Sequence, residues 1–314
     1  MASMPPTAGT ADRDAGPPGP APRDMAWVPG GSFWMGCEDF YPEEGPVHEA
    51  RVDGFWMDEH LVTVAQFRRF VKDTGYVTLA ERDPDPALYP DADPALLRAG
   101  ALVFTPPPGP VELSDIRAWW SWVPGADWRH PEGPGSTLHG RERHPVTQVA
   151  YEDALAYATW AGKALPTEAE WERAARGGIE RATYCWGDEP FPRGRVMANT
   201  WQGRFPWENL KRGRDKRTTP VKRFPANGFG LYDMAGNVWE WTTSRFTADH
   251  AGEASRGCCG PPGARAGEIE RRVIKGGSHL CSPDYCLRFR PAARQGQTVD
   301  TATSHIGFRC IVRP

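Results

Sequence analysis

The sequence predicts a single compact domain in which short strands and helices are set in a large share of irregular chain. Three observations lead there. Glycine and proline, 34 and 32 of 314 residues, make up about a fifth of the chain, enough to interrupt regular elements but below the level of disordered sequence. Fourteen tryptophans supply rings large enough to anchor irregular loops in a globule. The stretches with helical apolar spacing are few and short. The formal net charge of −3 gives no basic field for nucleic acid or an anionic membrane. No apolar run approaches the roughly 18 residues of a transmembrane helix. Seven cysteines, an odd number without a regular framework, predict free thiols in a reducing, cytoplasmic setting.

Residues 1–24 are rich in Pro, Gly and Ala, lack the apolar centre of a signal peptide and read as a disordered leader, with the domain running over 25–314. Residues 25–35 (MAWVPGGSFWM) read as two strands broken by a Pro-Gly-Gly turn, and residues 43–57 as further short strands. Thr63 is placed to cap a helix whose apolar face is Val64, Phe67, Phe70 and Val71 and which ends at Gly75. Residues 80–118 show weak periodicity and read as a long functional or mobile connection. Trp119, Trp120, Trp122 and Trp128 then suggest a core wall or groove lining. A second helix is expected over Tyr151 to Trp160. A third follows a capping box between Thr167 and Glu170 and stops at Gly177. The chain carries no Walker, dinucleotide or Gly-x-Ser-x-Gly pattern.

The chemistry concentrates in residues 275–310. Cys281 and Cys286 are separated by four residues and lie among glycines (Gly276, Gly277), Ser278, Tyr285 and the cations Arg288, Arg290 and Arg294. Positive charge favours the thiolate, the form that binds metal and attacks electrophiles. Three readings fit the spacing: a short-loop disulfide or two buried apolar thiols; half of a zinc site completed by histidines such as His279 and His305; or a two-thiolate site for a soft ion such as Cu(I). Spacing alone leaves all three open. Upstream, Asp233 and Glu240 bracket an irregular turn whose carbonyls add oxygen ligands of the kind calcium prefers, although solvated loop carboxylates have the same appearance. The basic run from Lys211 to Arg217 has no interleaved aromatics and reads as a solvated surface segment.

Several stretches, in this order, resemble the formylglycine-generating enzymes, or sulfatase-modifying factors, of bacterial type: WVPGGSFWMG, VPGADWRHPEG, HPVTQVAYEDALAYATWAGK, GKALPTEAEWERAARGG, ANTWQGRFPWEN, NGFGLYDMAGNVWEW and KGGSHLCSPDYC with SHIGFRC. PTEAEWE and GNVWEW occur across a wider superfamily, and Ser-x-x-Cys-x4-Cys at 278–286 marks the catalytic branch. The resemblance implies an α+β fold related to C-type lectins. It also implies oxidation by molecular oxygen of one cysteine, within Cys-x-Pro-x-Arg of a nascent sulfatase polypeptide, to Cα-formylglycine. Cu(I) would be held by Cys281 and Cys286, with the substrate thiolate as a third ligand, and Ser278 would stand beside it. Trp239, Tyr285, Arg290 and His305 map to the substrate groove, His305 standing where the family commonly has asparagine. Asp233, Glu240 and the carbonyls of Gly236 and Val238 map to a calcium site, with Asp in place of the usual Asn. A second calcium site would use Asn199 and Thr200. Its acidic partner aligns with Gly213, leaving Asp215 as substitute. Ala158, Ala175 and Pro291 replace cysteines of secreted relatives, which leaves Cys310 unpaired. A cytoplasmic monomer is expected. The rival classes are a non-catalytic lectin-like binding module, which would not need the Ser278–Cys281–Cys286 set, and an iron-dependent sulfoxide synthase, which would need a further helical domain where only the short leader stands.

Overall fold

The computed structural model describes residues 16–17, 19–251 and 269–314. Most of the expected leader, together with Cys258 and Cys259, lies outside the described residues. The observed fold is mixed α and β with little regular structure, as the composition predicts. Its strands are β1 (Met25–Val28), β2 (Gly31–Met35), β3 (His48–Val52), β4 (Phe55–Asp58), β5 (Gly100–Phe104), β6 (Trp120–Pro124), β7 (Trp239–Arg245), β8 (Arg271–Lys275), β9 (Arg294–Thr298), β10 (Ile306–Gly307) and β11 (Ile311–Val312). Its helices are α1 (Val64–Thr74), α2 (Tyr151–Trp160) and α3 (Glu168–Arg176).

The helices form where caps and periodicity place them. Thr63 and Gln66 make a reciprocal capping box on α1, and Thr167 and Glu170 make one on α3. Each box satisfies backbone N–H groups that a helix start leaves without partners. Val64, Phe67, Phe70 and Val71 are buried, and the Phe67 ring meets Phe70, Trp128, Tyr157 and Phe308. Trp171 of α3 is fully buried and donates its indole N–H to Glu240 at 2.9 Å.

Four strands, in the order β10-β7-β8-β9, form the sheet that presents the cysteine segment; β10 runs parallel to β7, and the other pairs are antiparallel. A second sheet joins β1, β4 and β11. The strands β1 and β2 of the Pro-Gly-Gly region both exist but do not pair with each other: β1 pairs with β4 and β2 with β3. Residues 80–118 are more ordered than their periodicity suggests. They hold short 3-10 turns and β5, which pairs with β6 through five register positions from Gly100–Pro124 to Phe104–Trp120. This hairpin stands beside the sheet and closes one side of the site. No described helix is long and apolar enough to cross a membrane.

Candidate active site

The cysteine segment leaves the end of β8 through Gly276 and Gly277, both at positive φ (89° and 68°). A Cβ on Gly277 would lie 2.9 Å from the Arg288 carbonyl oxygen, so the returning chain packs where a side chain would stand. Below this turn Lys275 is fully buried and donates to Glu172 (3.0 Å) and Glu168 (3.4 Å), while Arg294 makes a two-point contact with Glu168 at 2.8 Å. These paired charges fix both ends of the segment, because each would be costly to bury alone.

Within the segment, the Cys281 N–H donates to the Ser278 carbonyl (3.0 Å) and the Cys286 N–H to that of Ser282 (2.7 Å). The two turns bring Cys281 Sγ and Cys286 Sγ to 3.3 Å, both side chains buried and both thiols free. Ser278 N–H donates toward Cys281 Sγ at 3.4 Å. The pair opens into a cavity of about 360 Å³ lined by Ser278, Trp239, Trp120, Phe205, Tyr285 and His305 among others. Tyr285 stacks on Phe205 at 4.3 Å and meets Trp119 edge-on, an aromatic wall with Tyr285 at its exposed rim.

The thiols are electrostatically unequal. Cys286 is pushed below the usual thiol range, chiefly by the hydrogen bond from Cys281 and then by the charge and hydrogen bonding of Arg288. Cys281 is pushed up by burial and by donating to its neighbour. When the pair carries one negative charge, it is favoured on Cys286, which then accepts a hydrogen bond from the Cys281 thiol. Arg288 is held by Glu43 at 2.6 Å and stacks over Tyr41 at 3.9 Å. His305 is kept neutral by burial, its basicity lowered to about 3, with Nδ1 on the Thr303 hydroxyl (2.8 Å) and its ring 4.7 Å from Trp120.

Ser278, Cys281, Cys286, Trp239, Tyr285 and His305 therefore converge on one cavity. Arg290 does not. It is almost fully buried, makes a two-point ion pair with Glu44 and donates to the Leu287 carbonyl (2.7 Å), so it braces the loop from behind. The cation beside the thiols is Arg288. Alternating arginines mark the loop as cationic, but which one faces sulfur depends on Glu43 and Glu44, about 245 residues away in the chain. The short-loop alternative is not a disulfide here. Among the described residues no group of three or more His, Cys, Asp and Glu side chains converges, so the pair lacks the histidine ligands that the zinc alternative requires. His279 is instead turned onto the Asn237 carbonyl at 2.8 Å.

The profile of the sulfatase-modifying factor enzyme 1-like domain matches residues 13–314. The chain belongs to this family. Within the sulfatase-modifying factor family, it is 58% identical over 93% of its length to a formylglycine-generating enzyme of Mycobacterium tuberculosis, covering 98% of that relative. It is 37% identical over 91% of its length to an inactive C-alpha-formylglycine-generating enzyme 2 of Bos taurus, covering 87% of it. Its fold is similar to that of PvdO from Pseudomonas aeruginosa, with a TM-score of 0.62, 25% identity, and 95% and 99% of the two chains covered.

At the first expected calcium site, Asp233 is buried, and among the described residues its carboxylate accepts one hydrogen bond, from the Lys222 N–H at 2.9 Å, with no cationic side chain bonded to it. Glu240 Oε2 accepts from Arg309 (2.7 Å) and Trp171, while Oε1 accepts from Arg309 alone (2.9 Å). Asp233 is an under-partnered buried carboxylate, whereas its neighbour Glu240 already has the Arg309 guanidinium on both oxygens. The second expected site is different: the Asn199 side-chain oxygen accepts from the Lys211 ammonium. Gly213 offers no side chain, and Lys211 turns inward instead of being wholly solvated. The side-chain oxygen expected to serve as a calcium ligand at Asn199 thus has a protein cation as its partner. Asp215 lies in the 3-10 turn Gly213–Lys216.

Proposed function

We propose that this chain is a formylglycine-generating oxidase. It would convert the cysteine of a Cys-x-Pro-x-Arg segment in nascent sulfatase polypeptide to Cα-formylglycine, with molecular oxygen as oxidant and Cu(I) as cofactor. The observation that carries the reading is the pair of free thiols 3.3 Å apart at the floor of an aromatic-walled cavity. Two sulfurs without harder ligands form a donor set that selects Cu(I), so Cys281 and Cys286 would hold it. When bound, copper supplies the redox chemistry that makes oxygen reactive.

The chain's own residues account for the rest. The Cys286 thiolate is ready to bind a cation, and Cys281 has one proton to lose when its sulfur is engaged. Ser278 Oγ lines the same cavity and accepts from the Leu280 N–H at 3.2 Å. The wall of Trp119, Phe205 and Tyr285 gives apolar contact to an extended peptide and keeps water from the sulfurs, while Gln295, Gln297 and Thr301 offer polar contacts in the same cavity. His305, neutral at physiological pH, contributes hydrogen bonding without charge. Calcium would bind at Asp233 and Glu240 as a structural ion. The five free thiols of the described residues suit a cytoplasmic reaction.

The test is mass spectrometry of a Cys-x-Pro-x-Arg peptide after aerobic incubation with copper-loaded protein. The aldehyde product is expected, and its absence would favour a non-catalytic binding module.

A further inference from the structure

Asn199 is almost fully buried and is the hub of a polar network that ends at the cysteine segment. Its amide donates to the Arg217 carbonyl (2.9 Å) and to Asn237 Oδ1 (3.2 Å), and its own carbonyl accepts from the Asn237 N–H (2.8 Å). Asn237 is itself buried, and its carbonyl accepts from both the backbone N–H (2.9 Å) and the ring Nδ1 (2.8 Å) of His279. Two residues on, the Cys281 carbonyl accepts from the Trp201 N–H at 2.9 Å. The remaining acceptor of the hub, Asn199 Oδ1, receives the Lys211 ammonium.

We infer that Lys211 is a tethered cation that replaces a bound calcium ion at Asn199, and that through Asn199, Asn237 and His279 it holds the backbone carrying Cys281. Two features of this chain support the replacement. The position where the family resemblance calls for an acidic ligand is Gly213, which brings no negative charge. The oxygen a calcium ion would need is committed to a compact ammonium, and a dication beside it would be repelled at short range. A lysine ammonium can donate three hydrogen bonds and cannot be removed by a chelator. The turn around Gly236 should therefore be tied to residues 199–219 whatever the calcium concentration. Lys211 is in this sense a positioning residue for Cys281, and the inference does not depend on the reaction proposed above.

The experiment uses the full chain with Asp233→Ala, which removes the other candidate calcium ligand, and titrates it calorimetrically with calcium chloride. No binding is expected, together with the same melting temperature in chelator and in calcium. Lys211→Met should lower that melting temperature by about 3–6 °C under both conditions, the size expected for losing one charged hydrogen bond in a domain this large. It should also speed alkylation of the Cys281–Cys286 pair several-fold. A calcium ion bound by the Asp233→Ala protein with a Kd of about 1 mM or tighter would overturn the replacement. Unchanged melting for Lys211→Met would overturn it as well, and a lower melting temperature without faster alkylation would overturn the link to Cys281.

Discussion

Glu44 and Arg290 stand 246 residues apart in the chain yet form a two-point ion pair in which both side chains are almost completely withdrawn from water (0% and 1% exposed). Burial raises the Glu44 carboxyl's pKa above its ordinary value, and the Arg290 guanidinium opposes that rise. Arg290→Leu would strand a buried carboxylate, at a cost of about 3–5 kcal/mol. Urea denaturation at pH 7 should show that loss, and Glu44→Leu combined with Arg290→Leu should recover part of it. A single mutant as stable as the parent would show that the pair is not a brace.

Copper binding should depend on both thiols. Replacing either Cys281 or Cys286 with serine exchanges a soft ligand for a hard one. Each variant should lose tight Cu(I) binding in competition with a chelator, and the double variant should be scarcely worse, because the two act as one unit. Cys37→Ser should bind as the parent does, since Cys37 interacts with Asp39 and lies outside the cavity. Tight binding by Cys281→Ser alone would sink the two-thiolate assignment.

Asp233 gives a pH signature. Burial raises its pKa to about 6, above the unfolded value of about 3.9. The native state therefore keeps a proton that the unfolded chain has released. Stability contributed by this group falls as pH rises from about 4 to 6, and the deficit persists at higher pH. In chelator at pH 7.5, Asp233→Asn should be the more stable protein, by up to about 3 kcal/mol, with the difference vanishing near pH 4. Calcium should raise the parent's melting temperature and leave that of Asp233→Ala, which has no side-chain oxygen there, unchanged. Equal calcium responses would remove Asp233 from the ligand set.

Gly277→Ala should damage the site without touching a reacting group. Its φ of 68° and the Arg288 carbonyl, 2.9 Å from where the new methyl group would stand, both oppose a side chain. A loss of about 1–3 kcal/mol is expected, with weaker Cu(I) binding as the turn before Cys281 shifts. Parent-like copper affinity would mean that the glycine is not what sets the thiols.

The helices were legible because their signals are local. Thr63, Gln66 and Gly75 bracket α1 within a dozen residues, and Thr167 with Glu170 starts α3. The thiol pair and Ser278 were legible for the same reason, lying within nine residues of one another. What escaped depends on distant partners. Arg290 and Arg288 are equivalent by spacing, and only Glu44 and Glu43 decide that one is buried and the other faces Cys286. Residues 80–118 looked structureless because β5 is defined by pairing with β6, not by a periodic pattern of its own. Lys211 looked solvated within a basic run because nothing near it in sequence announces Asn199 as its acceptor.

The clamps that join residues 43–44 to residues 288–290 also set an order of events in time. Local segments such as α1 can form as soon as they are made, but the thiol pair cannot acquire its bracing until the two distant segments meet. Closing so long a loop is slow compared with helix formation. During folding there should be an interval in which most of the core has condensed while Cys281 and Cys286 still react as ordinary exposed thiols, and trapping them with a fast alkylating agent at successive refolding times would reveal its length.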